Sequence, residues 1–316
     1  MQKTEVQNFQ VSKYYFLYLI IFKFYTYLVQ KTLELPLPKI SSKSWAIFNS
    51  NTKDLILGKN HNSRREIASL TKIMTCYTVI LLSKLLNIDI LKEIIRINKR
   101  AENTMGTSAE LSEGDQLSVH DLLHGLMLPS GNDAAVALAD HFAKILYFKH
   151  NPNSIKIPRK VRKYFLIEMN KNASSLGMKR TTYTNPHGLS DKYNKSTALD
   201  IALLTSEAMN DNLFRQIVGK KHYETIGKDI ENNNKKFEWN NTNLCLESGY
   251  TGVKTGKTNS AGSCLCSTIN INNSCIIIVV LGSRTTKKRF TETHKLTNLA
   301  KIMIDNKIIP QKSRYS

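Results

Sequence analysis

Cysteine is scarce in this chain: five in 316 residues, Cys76, Cys245, Cys264, Cys266 and Cys275. They form no C-x-x-C pair and stand with no histidine at zinc-ligand spacing, which argues against a structural metal site or a disulfide scaffold. An odd count reads first as free thiols, with one or two disulfides open to an exported chain. Acidic side chains are also few, 25 Asp and Glu against 45 Lys and Arg, for a net charge of +20. The basic residues are dispersed rather than gathered into a tract interleaved with aromatics, so nucleic acid is not read as a partner. An anionic surface or a carboxylate-bearing substrate is. Glycine (14) and proline (7) are too few for a collagen-like or low-complexity chain, and 41% hydrophobic residues exclude wholesale disorder. No uninterrupted apolar run reaches the roughly 20 residues of a spanning helix. The nearest, Tyr14 to Val29, follows Lys3 and Lys13 and is broken by Lys23. We read it as a signal sequence or anchor within an N-terminal segment, residues 1–40, that makes the protein secreted, periplasmic or membrane-anchored facing outside.

What is present is a mixed pattern. Ser44 to Asn49 and Leu55 to Gly58 alternate as an edge hairpin around a polar turn. From Ser69 to Leu86 apolar residues recur every three or four positions, as in a helix with one buried stripe. Ser118 with Asp121 forms a capping box for a helix ending near Met127, and Thr197 with Asp200 caps another. Helices are also expected over 134–146, 161–175 and 290–304. Residues 250–256, 262–271 and 275–281 read as strands, the last two joined by Asn272-Asn273, a tight-turn pair. A hairpin at the start, helices in the middle and strands at the end predict an α/β (α+β) fold: an antiparallel sheet built from both termini with a helical subdomain.

Ser69-Leu70-Thr71-Lys72 places a hydroxyl and an amine three residues apart, on one helix face and at a helix start. That arrangement suits a serine nucleophile activated by a lysine base. Alone it is a weak signal, since Ser50-Asn51-Thr52-Lys53 matches too and reads as a solvated turn. Two further elements occur once each: Ser130-Gly131-Asn132 at a loop-to-helix junction, and Lys254-Thr255-Gly256 on a strand.

With these in order, the sequence resembles the serine D-alanyl-D-alanine carboxypeptidases, low-molecular-mass penicillin-binding proteins of the β-lactamase/transpeptidase-like superfamily. The likeness extends through Ile67 to Thr75, Leu122 to Asp140, Met169 to Leu189 and Thr251 to Gly262. It implies one catalytic domain over residues 41–316 without a C-terminal β-domain, acting through an acyl-enzyme on Ser69. Lys72 is then the base, its amine kept neutral by burial and by the neighbouring Lys254. Ser130 relays a proton to the leaving amine with Lys254 polarising its hydroxyl, and Asn132 orients Lys72 and the substrate amide. The oxyanion lies between the N–H groups of Ser69 and Lys257, the residue after Gly256. Thr255 and Arg289 hold the substrate's terminal carboxylate. The implied partners are D-Ala-D-Ala peptides of peptidoglycan type and, as covalent inhibitors, β-lactams; membrane attachment falls to the N-terminal segment, and no metal or organic cofactor is implied. Rivals on the same scaffold are a β-lactamase, an esterase and a D-amino-acid amidase; a rival of another kind is a non-catalytic module that binds wall peptides. The nearest match to a β-lactamase deacylation loop, around Glu168, lacks its leucine.

Overall fold

The structure is a computed structural model that describes residues 37–308. The stretch read as a signal or anchor lies outside the described residues. Contacts divide the chain into two units, Ile40–Thr297 and a second made of residues up to Lys39 with Asn298–Ser316. Both sheets and the candidate site belong to the first.

The chain opens with β1 (Ser44–Asn49) and β2 (Asp54–Lys59), then a single 3-10 turn (Ala68–Leu70) leading into α1 (Thr71–Leu85). There follow β3 (Ile94–Arg96), α2 (Lys99–Glu102) and β4 (Gln116–Ser118). The helical middle is α3 (Val119–Met127), α4 (Asn132–His150), α5 (Lys163–Ser175), α6 (Ala198–Ala208) and α7 (Asn212–Gly219). Then come β5 (His222–Lys228), β6 (Asn234–Asn240), β7 (Gly252–Thr258), β8 (Gly262–Ile271), β9 (Ser274–Ser283) and α8 (Thr286–Asp305).

A five-stranded antiparallel sheet runs β2-β1-β9-β8-β7, so the first hairpin pairs with the last strand, as the α+β reading required. Its central strand β9 carries an unbroken apolar run, Ile276 to Leu281, buried throughout as a strand covered on both faces must be. Asn272 and Asn273 both take positive φ (48° and 61°), the conformation of a tight primed hairpin turn. The capping box at Ser118 and the Thr197 cap are both formed. Helix α1 packs against α3, α4, α5 and α6. The segment Ala68–Leu85 is long and apolar enough to cross a membrane, yet 72% of it is buried inside the protein, which marks a core helix. All five cysteines are free thiols, four of them buried.

A second antiparallel sheet, β3-β4-β5-β6, was not anticipated. Its strands are short or polar: β5 and β6 are largely exposed, with Phe237 and Trp239 of β6 and Tyr223 and Gly227 of β5 turned inward. The alternation is carried by too few apolar residues to stand out from loop sequence.

Candidate active site

Ser69 occupies the middle of the 3-10 turn rather than the α-helix proper. The turn is entered through Ala68, held at a φ of +50°. Such a conformation persists only where neighbours enforce it. One neighbour is Gly188, at φ +86°, where an added Cβ would lie 2.0 Å from the Ala68 carbonyl oxygen. Another is Gly256 on β7, where a Cβ would lie 2.9 Å from the Ser69 nitrogen. Both positions must be glycine for these segments to close on the turn.

Lys72 is fully buried in the first turn of α1. Its Nζ lies 3.1 Å from Ser69 Oγ, 2.6 Å from Asn132 Oδ1 and 2.8 Å from the His187 carbonyl oxygen. The Asn132 amide is oriented by its other end, since Nδ2 donates to the Met105 carbonyl at 2.7 Å. Two of the three neighbours of Nζ can therefore only accept. A neutral amine that donates to both turns its lone pair to the Ser69 hydroxyl, the orientation a general base needs. Burial lowers the Lys72 pKa to about 7, against the opposing charge of Asp133.

Lys254 is buried too, and its pKa is driven well below its usual value by burial, then by the charges of Lys72 and Arg289. The repulsion between the two amines is reciprocal, so beside the larger effect of burial it disfavours a charge on either of them. The Lys254 Nζ makes one long bond, 3.3 Å, to the Thr255 carbonyl. The anticipated bond from Lys254 to Ser130 is not formed. Ser130, at φ +70°, has a buried hydroxyl with no partner among the described residues.

The Ser130-Gly131-Asn132 turn is zipped to the loop at 105–111. Thr107 Oγ1 donates to the Ser130 carbonyl at 2.6 Å, and the Asn132 N–H donates to the Thr107 carbonyl at 2.8 Å. The buried carboxylate of Asp133 accepts from the N–H groups of Ala109 and Leu111 and from the Ser108 hydroxyl. On β7, Thr255 Oγ1 lies 2.7 Å from Thr242 Oγ1, and the exposed Lys257 follows Gly256 on the open edge of the sheet. Arg289 is buried behind that strand, donating from one guanidinium nitrogen to the Gly256 carbonyl at 3.1 Å; its Nε has no partner among the described residues. The second S-x-x-K falls in the β1–β2 turn, where the Lys53 amine reaches Ser206 Oγ (2.8 Å) instead of Ser50.

A hydroxyl, a buried amine facing it, and two strained turns held against an edge strand make a preorganised acyl-transfer site. The profile of the family described as D-alanyl-D-alanine carboxypeptidase matches residues 30–145 and 159–285. The chain belongs to this family. It is 31% identical to the D-alanyl-D-alanine carboxypeptidase DacF of Bacillus subtilis over 82% of its own length, and 31% identical to DacC of Escherichia coli over 88%. It spans 62% and 65% of those two relatives. A D-alanyl-D-alanine carboxypeptidase of a Streptomyces species is 32% identical, with 83% of this chain and 87% of that one aligned. Among solved structures, a Streptomyces DD-transpeptidase superposes with a TM-score of 0.75 at 31% identity, covering 84% of this chain and 98% of that one.

In this carboxypeptidase-family chain the sequence motifs located Ser69, Lys72 and Asn132 in direct contact. They missed three contributors. The His187 carbonyl is a backbone atom that no residue type advertises, although its Asn185-to-Leu189 segment belongs to a stretch singled out for resemblance. Its imidazole is held neutral, at a pKa of about 3, by burial and by the charges of Lys72 and Arg162. Asp133 follows Asn132 directly, and its adjacency was the available signal. Thr242 carried none. Among the described residues one grouping has metal-ligand donors, the exposed His222, Glu224 and Glu238. Its carboxylates are already engaged by Lys236, at 2.9 and 3.5 Å.

Proposed function

We propose that the protein is a serine DD-carboxypeptidase that removes the terminal D-Ala from D-Ala-D-Ala peptides of peptidoglycan type. The observation that carries this reading is the Lys72 amine, buried, lowered to about 7 and 3.1 Å from Ser69 Oγ. In the proposed mechanism Lys72 takes the Ser69 proton as Oγ attacks the carbonyl carbon of the penultimate D-Ala. The oxyanion is received by the N–H groups of Ser69 and Lys257, which Gly256 allows to approach. Ser130 gives its hydroxyl proton to the leaving nitrogen and takes in its place the proton Lys72 received from Ser69, D-Ala departs, and an ester remains on Ser69. Lys254 assists by giving up its long bond to Thr255 and turning to Ser130. Thr255 and Arg289 receive the carboxylate, and a planar guanidinium suits it. Water then attacks the ester, restoring Ser69. No cofactor enters the scheme, and β-lactams would acylate the same hydroxyl.

A β-lactamase reading is disfavoured, because Glu168 lies within α5 and is bonded to Lys171 at 2.7 Å. The Streptomyces match favours a second fate for the acyl-enzyme, capture by an amine instead of water. We also read the N-terminal segment as carrying the chain to the outer face of the membrane or beyond it. The test is labelling with a fluorescent penicillin, then release of D-Ala from a D-Ala-D-Ala peptide with and without an amine acceptor. A stable label with D-Ala release is expected. Rapid loss of label would indicate a β-lactamase, a predominant aminolysis product a transpeptidase, and no label an esterase or a binding module.

A further inference from the structure

Thr242 stands between the two walls of the site, two residues past the end of β6. The side-chain amide of Asn241 pins the segment that carries it. Asn241 Nδ2 donates to the Val218 and Lys220 carbonyls at 3.3 and 2.9 Å, and its Oδ1 accepts from the Asn243 N–H at 2.9 Å. From there the Thr242 N–H donates to the Leu128 carbonyl at 3.2 Å. Leu128 caps α3 and stands two residues before Ser130. The Thr242 hydroxyl reaches both ways, to the same Leu128 carbonyl at 3.3 Å and to Oγ1 of the buried Thr255, on β7, at 2.7 Å. The backbone bond alone spaces the two walls. What the hydroxyl adds is a donor whose direction can change.

The count of protons decides which way it points. Each hydroxyl has one proton, either oxygen can donate in the 2.7 Å bond, and the Leu128 carbonyl can only accept. While Thr242 donates to that carbonyl, Thr255 donates inward to Thr242 and turns its lone pairs to the cleft, the wrong polarity for an anion. A carboxylate also only accepts, so Thr255 must donate outward to it. Thr255 then keeps its short contact by accepting from Thr242. The change gives up one bond of 3.3 Å and ends the chain of donors on a charge, where hydrogen bonds are shorter and stronger. The next step rests on the carboxypeptidase reading, in which Thr255 receives the substrate's terminal carboxylate. We propose that Thr242 is a positioning residue: it turns its hydroxyl proton from the Leu128 carbonyl to Thr255 Oγ1 as that carboxylate arrives, and so makes Thr255 a donor to it. The substrates it favours are acyl-D-Ala compounds whose leaving group bears an anion. A neutral leaving group makes no such demand on Thr255.

The test compares an acetylated peptide ending in D-Ala-D-Ala with an acetyl-D-Ala thioester whose leaving group is uncharged. Thr242→Val keeps the shape of the side chain and the backbone bond but removes the hydroxyl; Thr242→Ser keeps the hydroxyl. The position is exposed, so neither change opens a cavity in the core. In Thr242→Val, kcat/KM for the peptide should fall roughly three- to tenfold, the range of one net hydrogen bond, through KM more than kcat. The thioester should be unaffected, Thr242→Ser should restore the peptide, and Thr242→Ala should repeat the selective loss. Equal losses on both substrates would make Thr242 a spacer between the walls and overturn the proposal. So would an unchanged peptide rate in both hydroxyl-free variants, or a serine variant as slow as the valine one. All three results leave the carboxypeptidase reading standing. A wild-type enzyme that turns over the thioester but releases no D-Ala from the peptide overturns that reading and this one together.

Discussion

At the scale of single residues, Lys72 acts as a base only while uncharged, and its surroundings decide when that is. Because its pKa is lowered to about 7, acylation should rise as pH climbs through that value and fall below it, as protonation removes the lone pair facing Ser69. The pH profile of acylation by a penicillin measures this. Asp133 opposes the depression, so Asp133→Asn should move the acidic limb to lower pH; an unmoved limb would show that this carboxylate serves only the 105–111 loop. Lys72→Arg keeps a charge that cannot be shed. It should fold and fail to acylate. Arg289 has a second duty in the structure, bonding the Gly256 carbonyl. If it also binds the substrate carboxylate, Arg289→Gln should slow free-carboxylate peptides much more than an ester or thioester lacking that group, by an amount on the order of 2–5 kcal/mol. Equal losses on both substrates would make it a brace for β7 alone.

At the scale of elements, the site exists because two segments, those of Gly188 and Gly256, approach one 3-10 turn closely enough to exclude a methyl group. Gly256→Ala would set a Cβ 2.9 Å from the Ser69 nitrogen and 3.1 Å from the Ile67 carbonyl oxygen. We expect a stability loss of about 1–3 kcal/mol from overpacking. The loss of acylation should be disproportionate, because the displaced strand carries Lys257; thermal melts and penicillin labelling on one preparation test it. Gly188→Ala, 2.0 Å from a carbonyl oxygen and at positive φ, should be the more damaging. Sequence made the nucleophile helix legible because it pairs a chemical signature, Ser69 and Lys72 three residues apart, with the period of an apolar stripe, and β7 legible chiefly through the single Lys254-Thr255-Gly256 it carries. It could not show the His187 carbonyl, which reaches Lys72 across 115 positions of chain, nor the absence of a Lys254–Ser130 bond, which depends on side-chain rotation. The second sheet stayed hidden for a related reason, since its polar strands are fixed by pairing partners far away in sequence.

At the scale of the whole molecule, a buried amine links stability to pH. The Lys72 pKa is about 7 folded against 10.5 as its ordinary value, so between the two the unfolded chain binds more protons than the folded one. This group therefore adds stability as pH rises across that window. Denaturant unfolding across the window should show wild type gaining on Lys72→Met; parallel curves would mean that Lys72 is not depressed. The strand order β2-β1-β9-β8-β7 has a consequence for synthesis. A ribosome delivers Ser69 and Lys72 early, but β1 has only β2 to pair with until β9 emerges, and the turn at Ser69 is closed on one side by the Gly188 segment but not on the other until β7 emerges. Pairing so distant in sequence is slow and comes late. The nucleophile therefore spends most of translation as an ordinary serine on an unfinished chain. Stalled nascent chains ending before β9 should take up no penicillin, and those extending past it should label once the tunnel is cleared.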